Sequence, residues 1–295
     1  MKKQKNLIFK GVGTALVTPF SNGKIDYSAL DRLIEMQISD GINSIVIGGT
    51  TGEAATLSES ERYSLYTHAA DRIAGRTRLI LGTGTNDTRA AINRTKLAKD
   101  VGADGALVVT PYYNKGTEEG IFRHYSMIAD STDIPIILYN VPSRTGVNLG
   151  LNLLSRLSEH PNIVGLKEAS DSTDRLVSLS EFGDTLPIYS GNDSQIYPCL
   201  ALGGAGVISV VSNIFPRATL DITESYFSGD ASLSLKYQLK LLPLIKSLFI
   251  ETNPTPIKFA MERLGLCSGE LRLPLGEARE STKLAVSAEL DRLNG

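Results

Sequence analysis

Eight short apolar runs, each followed by a longer polar stretch with helical spacing, predict an α/β chain closed into a (β/α)8 TIM barrel. Three observations carry that expectation. The runs are apolar on both faces, as strands of a parallel sheet covered on both sides must be. They alternate with helical stretches, the pattern that lets successive strands pair in parallel. Eight such units occupy about 225 residues, close to the roughly 250 typical of this barrel. An open doubly wound sheet uses the same units and is the competing arrangement.

The runs are GVGTALVT at 11–18, SIVIGG at 44–49, RLILGTG at 78–84, GALVVT at 105–110, PIILYNV at 135–141, NIVGLKEA at 162–169, PIYSGN at 187–192 and GVISVV at 206–211. Helical stretches between them include 27–40, 58–74, 87–101 and 116–131. Ser58, with Glu61 three places on, forms a capping box, and Asn86-Asp87 opens the following helix. Asp40-Gly41, Val101-Gly102 and Gly203-Gly204 supply stops before the next strand. After residue 228 the strand signals cease. SLSLKYQLKLLPLIKSLF and PIKFAMERLGL read as amphipathic helices. The expected division is a catalytic barrel over 1–228 and a helical C-terminal region over 229–295, packed on the barrel without a low-complexity linker.

Composition narrows the function classes. A hydrophobic fraction of 42% and a charged fraction of 21% describe a soluble globular chain with a substantial core. Thirty basic and 32 acidic residues give a net charge of −2, with no electrostatic footprint for nucleic acid or an anionic membrane. Two cysteines, Cys199 and Cys267, suit neither a disulfide framework nor a zinc site and fit a reducing compartment. The start MKKQKNLIFKG has a basic flank but too little apolar length for a signal peptide. CLALGGAGVISVV is too short and too glycine-rich to span a bilayer. A cytoplasmic location is expected. His68, His124 and His160 lie far apart on helical stretches and suit surface or core roles, not a metal site. GTGTND at 82–87 lacks the last glycine of a dinucleotide fingerprint and reads as a tight strand-to-helix turn.

In a closed barrel the C-terminal ends of the strands converge on one mouth, where chemistry is placed. Here those ends carry Thr50-Thr51, Tyr112-Tyr113, Tyr139, Arg144, Lys167, Ser190-Gly191-Asn192-Asp193 and Ile208-Ser209. Lys167 ends the apolar run 163–166. Burial disfavours its ammonium form and exposes a lone pair able to attack a ketone or aldehyde as a Schiff-base nucleophile. Tyr139, at the end of the neighbouring strand, is placed to move protons. Each residue also has an ordinary reading. Lys167 could pair with Glu168 or a rim carboxylate, Tyr139 could be a satisfied core phenol, and Thr50-Thr51 could cap a turn. Arg144 could be a surface charge, although a guanidinium after Val-Pro also suits a carboxylate clamp. The hydroxyls and phenols gathered at one rim favour catalysis.

GTTGE at 49–53, TPYYNK at 110–115, YNVPSRTG at 139–146, the lysine in GLKEAS at 165–170, GVISV at 206–210 and NPTPIK at 253–258 together resemble the 4-hydroxy-tetrahydrodipicolinate synthase family. These are pyruvate-dependent class I aldolases of lysine and diaminopimelate biosynthesis. The resemblance runs from about residue 8 to the C-terminus, with every motif in family order. It implies an imine between Lys167 and pyruvate, with no metal or organic cofactor. Tyr139 would be the general acid and base, in a proton relay with Thr50 and with Tyr113 from a neighbouring subunit. Thr51 would hold the pyruvate carboxylate, Ile208 and Gly191 would border the bound ketoacid, and Arg144 would receive the carboxylate of L-aspartate 4-semialdehyde. A homotetramer built as a dimer of dimers is implied.

N-acetylneuraminate lyases are similar in barrel, lysine and tyrosine but as a class lack PSRTG after the tyrosine; they are the alternative enzyme reading. A catalytically silent ketoacid-binding relative is the alternative outside enzymes, and the presence of both Lys167 and Tyr139 speaks against it. Some members of the family bind lysine at a dimer interface. Asn86 and Tyr112 match positions used there, but the family's acidic position is Ala90, and positions often histidine are Glu59 and Arg62. Without the acidic group an effector ammonium loses a charge-assisted bond of about 1.5–3 kcal/mol, so weak or absent lysine inhibition is expected.

Overall fold

The computed structural model describes residues 5–294; residues 1–4, which hold part of the basic start, and residue 295 lie outside the described residues. Eight parallel strands close into a barrel: β1 (Gly11–Ala15), β2 (Ser44–Ile47), β3 (Arg78–Gly82), β4 (Gly105–Val109), β5 (Ile136–Asn140), β6 (Ile163–Glu168), β7 (Ile188–Ser190) and β8 (Gly206–Ser209). Each pairs with its neighbours in chain order. β1 closes the ring through Gly11↔Gly206 on one side and Gly13↔Ser44 on the other, which excludes the open sheet.

Around the barrel lie α1 (Tyr27–Ser39), α2 (Glu59–Ile73), α3 (Thr88–Asp100), α4 (Glu118–Asp130), α5 (Leu151–Ser158), α6 (Thr173–Ser180), α7 (Ile196–Ala201) and α8 (Pro216–Phe227). The capping signals act as their chemistry requires. Ser58 Oγ accepts from the Glu61 N–H at 3.2 Å while the Glu61 carboxylate accepts from the Ser58 N–H at 2.9 Å. Asp87 Oδ1 accepts from the Ala90 N–H at 3.1 Å to start α3. Gly41 and Gly102, at φ of 82° and 80°, take the left-handed turn after their helices. After α8 come α9 (Ala231–Ser247), α10 (Thr255–Arg263) and α11 (Glu280–Asn294), whose Leu244, Ile257 and Leu290 join the core outside the barrel.

A two-stranded hairpin, Phe20–Ser21 with Lys24–Ile25, does not follow from the runs above. Its turn is Asn22-Gly23, with φ of 52° and 76°. That pair suits a tight hairpin, but two-residue strands are too short to show a period.

Two apolar layers hold the fold together. The outer layer lies between strands and helices. The inner one, which includes Val46, Ile80, Leu107, Ile137 and Ile208, fills the barrel. Phe9 plugs it from the start of β1, stacking on Tyr189 at 4.5 Å between centroids and accepting a hydrogen bond from the Tyr189 hydroxyl at 2.6 Å through its carbonyl. A Cβ on Gly13 would lie 2.9 Å from the Phe9 ring, so β1 takes a glycine there. His124 is buried beside Thr88, at 2.9 Å from its hydroxyl, while His68 and His160 pair with Asp31 and Asp130. Among the described residues no helix is long and apolar enough to cross a membrane.

Candidate active site

Strand periodicity sets the site. In β6 successive side chains alternate between faces, so Lys167 points into the barrel while Leu166 and Glu168 point toward the helices. Glu168 is engaged there. Its carboxylate accepts from Asn140 Nδ2 at 3.0 and 3.1 Å and from the Ser170 N–H at 2.8 Å, and it pairs with Arg175 at 3.3 Å. The ordinary reading of Lys167 as a partner of Glu168 therefore fails. Among the described residues Lys167 has no ion pair within 4 Å.

Its neighbour is Tyr139, directly opposite in the β5–β6 register, with Nζ 4.5 Å from the ring centroid. Burial pulls the Lys167 ammonium down to about 8; the Asp193 carboxylate opposes this and the Arg144 guanidinium adds to it. Burial pushes the Tyr139 phenol up, against a hydrogen bond from Thr50. At neutral pH the phenol keeps its proton while a fraction of the lysine is free amine. That pairing suits one group to attack a carbonyl and the other to protonate the oxygen formed.

Both residues open into a cavity of about 390 Å³ over the strand ends, also lined by Thr50, Thr51, Arg144 and Gly191. Thr50 and Thr51 sit in the turn after β2. Gly48 enters that turn at φ 67°, where a Cβ would lie 2.7 Å from the Tyr66 hydroxyl. The turn closes by the Gly52 N–H to the Gly49 carbonyl and the Glu53 N–H to the Thr50 carbonyl, both at 3.1 Å. The sequence places Arg144 on a loop; it lies on one helical turn, Pro142–Thr145, with proline in the first turn and Gly146 at φ 69° ending it.

Gly191 sits against the lysine. A Cβ there would come 2.6 Å from the Ala169 Cβ and 3.1 Å from the Lys167 Cε. Ile208 is fully buried in the inner layer and is not among the residues lining the cavity. Tyr113 is not brought to the cavity of its own chain either. It is 88% exposed, at a left-handed φ of 74°.

Two site residues have no role in the sequence reading. Asn253 donates through Nδ2 to the Thr51 hydroxyl at 2.9 Å and accepts from Arg144 Nη2 at 2.9 Å through its carbonyl. It thus ties the two groups expected to meet carboxylates. Asp193 is buried in the cavity wall, with Oδ2 accepting from the Val210 and Val211 N–H groups at 3.0 and 2.8 Å. Signals are present in NPTPIK and in the polar end of β7, but a contact across 202 residues is not local information.

A second cavity of about 350 Å³ shares Thr50, Tyr139, Arg144 and Asn253 with the first and is walled by Arg62, Arg94 and Tyr112. Glu59 pairs there with Arg94 at 3.1 Å, and the buried Arg62 donates to the Ala54 carbonyl at 2.8 Å.

The sequence model of the Dihydrodipicolinate synthetase family matches residues 8–293. The 4-hydroxy-tetrahydrodipicolinate synthase of Clostridium novyi is 46% identical over 288 residues, covering 97% of each chain. The solved structure of the 4-hydroxy-tetrahydrodipicolinate synthase of Methylacidiphilum fumariolicum superposes with a TM-score of 0.95 at 44% identity, over 97% of this chain and 96% of that one. A chloride-inhibited dihydrodipicolinate synthase of Acinetobacter baumannii, solved with pyruvate, gives 0.94 at 41% identity over 97% and 99%. With a closed barrel, a buried inward lysine and this likeness along nearly its whole length, the chain belongs to the dihydrodipicolinate synthetase family.

Proposed function

We propose that the protein condenses pyruvate with L-aspartate 4-semialdehyde to give 4-hydroxy-tetrahydrodipicolinate, as the lyase of lysine and diaminopimelate biosynthesis. The observation that carries this reading is the buried Lys167, free of any ion pair among the described residues, opposite Tyr139. The free amine attacks the pyruvate ketone, and the carbinolamine loses water to leave an imine. The imine accepts the electron pair released when a methyl proton leaves, so no metal or organic cofactor is required. The resulting enamine attacks the aldehyde carbon, and the substrate's own amine then displaces Lys167 to close the ring.

In this reading Tyr139 protonates the departing oxygen and the phenolate left behind regains a proton through Thr50, while Thr51 holds the pyruvate carboxylate, beside Gly191 and the backbone near Ile208. Arg144 holds the carboxylate of the semialdehyde. Tyr113 completes the relay of a neighbouring subunit; its exposed ring and left-handed backbone support that assignment. A homotetramer acting in the cytoplasm follows from this reading, with residues 1–228 as the catalytic barrel and 229–295 packed on it. Weak or absent inhibition by lysine is supported by Arg62 and Arg94 in the second cavity and by Ala90 in place of a carboxylate. A coupled assay with both substrates, run beside N-acetylneuraminate cleavage, tests the proposal. Turnover of the semialdehyde alone is expected; cleavage of the sugar acid instead would assign the chain to the lyase reaction.

A further inference from the structure

Glu53 ends the GTTGE turn and Lys258 lies on α10, far along the chain, yet the two form an ion pair whose side chains are both fully buried. Glu53 is held at a left-handed φ of 53° and ψ of 37°, a conformation disfavoured for a residue with a side chain. Its other carboxylate oxygen accepts from the Arg272 N–H at 2.9 Å. Lys258 Nζ donates to the Glu270 carbonyl at 2.7 Å and sits 4.2 Å from the centre of the Phe20 ring. Two groups of the C-terminal region thus grip one residue of the catalytic turn. Asn253, at the start of the NPTPIK motif that ends in Lys258, grips Thr51 of the same turn.

A buried ion pair is weak evidence for stability, because desolvation offsets most of its attraction. A pair that is costly to bury and that holds a strained turn at a cavity rim points to geometry instead. We propose that the Lys258–Glu53 pair is a positioning strut that sets the Thr50-Thr51 turn at the height where Thr51 receives the ketoacid carboxylate. The inference rests on the assignment of Thr51 given under Proposed function. Neither strut residue lines the 390 Å³ cavity, so neither touches substrate in it. The strut acts through the turn: Glu53 donates its N–H to the Thr50 carbonyl, and Thr51 lies between them.

The test compares four full-length proteins: wild type, Thr51→Val, the double variant Glu53→Gln/Lys258→Met, and Leu290→Ala as a control that thins the core under α11. Removing both charges avoids stranding one of them in the interior, which would threaten folding. The amide introduced by Glu53→Gln keeps an acceptor for the Arg272 N–H. Thermal midpoints establish folding, and steady-state kinetics give KM for pyruvate and kcat separately. The strut predicts that the double variant raises KM for pyruvate about tenfold while kcat stays within about twofold, and that Leu290→Ala lowers the midpoint without moving KM. If Thr51→Val raises KM and the double variant does not, the strut is wrong and the Thr51 assignment stands. If Thr51→Val leaves KM unchanged, the Thr51 assignment itself fails. Should the double variant not fold, Lys258→Arg, which keeps the charge but not the compact ammonium, replaces it; an unchanged KM in a folded Lys258→Arg likewise overturns the strut.

Discussion

Tyr139 and Lys167 are register partners on adjacent parallel strands, and the Lys167 Nζ lies 4.5 Å from the centre of the Tyr139 ring. The barrel makes this pairing inevitable once both side chains face inward, since neighbouring strands are about 4.8 Å apart. What tunes it is burial, which weakens the ammonium and strengthens the hold of the phenol on its proton. The consequences are measurable.

The lysine must be unprotonated to attack, and its folded value is about 8. Imine formation with pyruvate should therefore rise with pH and level off above that value. A surface lysine, at about 10.4, would still be climbing well beyond it. Initial rates of borohydride-dependent inactivation, followed from about pH 6 to about pH 10, locate the limb.

Arg144→Ala should separate the two substrates. Loss of a charge-assisted hydrogen bond of about 1.5–3 kcal/mol predicts a roughly 10- to 100-fold fall in kcat/KM for aspartate semialdehyde. Trapping of pyruvate on Lys167 should persist, because the nucleophile and its phenol remain. An undiminished kcat/KM would remove Arg144 from the clamp.

Gly191→Ala places a methyl 2.6 Å from the Ala169 Cβ and 3.1 Å from the Lys167 Cε. Overpacking of this kind costs about 1–3 kcal/mol. The Ala169 methyl and the Glu168 carbonyl, 3.0 Å away, cannot swing aside, so the strand ends shift and carry Lys167 off its reactive geometry. The folded variant should trap pyruvate about tenfold more slowly, a shift that matches its overpacking cost if most of that cost falls on the reactive geometry. Equal trapping rates would show that the lysine does not depend on this contact.

His124 gives a stability signature away from the site. Burial holds its imidazole down to about 4, against 6.5 for an ordinary histidine. The unfolded chain then binds the proton more readily, so stability present above pH 6.5 is lost as the pH falls toward 4. The loss should reach roughly 2–3 kcal/mol between about pH 7 and about pH 4.5, and shrink in His124→Gln, as read by denaturant melts at the two pH values.

Most of the fold was legible because strand and helix signals are local. The capping box at Ser58 and Glu61 and the glycine stops at Gly41 and Gly102 mark element ends closely. The hairpin at Phe20–Ser21 and Lys24–Ile25 escaped because its strands are shorter than one full alternation. Lys167 and Tyr139 could be placed on strands from the sequence. The partners that engage the outward Glu168 could not, because no spacing reveals Asn140 or Arg175. Asn253 and Lys258 were visible only as members of a motif, since their partners Thr51 and Glu53 lie far earlier in the chain.

If Lys167 carries the covalent chemistry, reductive trapping marks that one residue. Folded protein is incubated with pyruvate and borohydride, digested, and its peptides weighed. One reduced pyruvyl adduct is expected, on the peptide holding Lys167, formed more slowly in Tyr139→Phe and absent in Lys167→Ala. An unmodified Lys167 in folded wild-type protein, or an adduct on another lysine, would contradict that assignment.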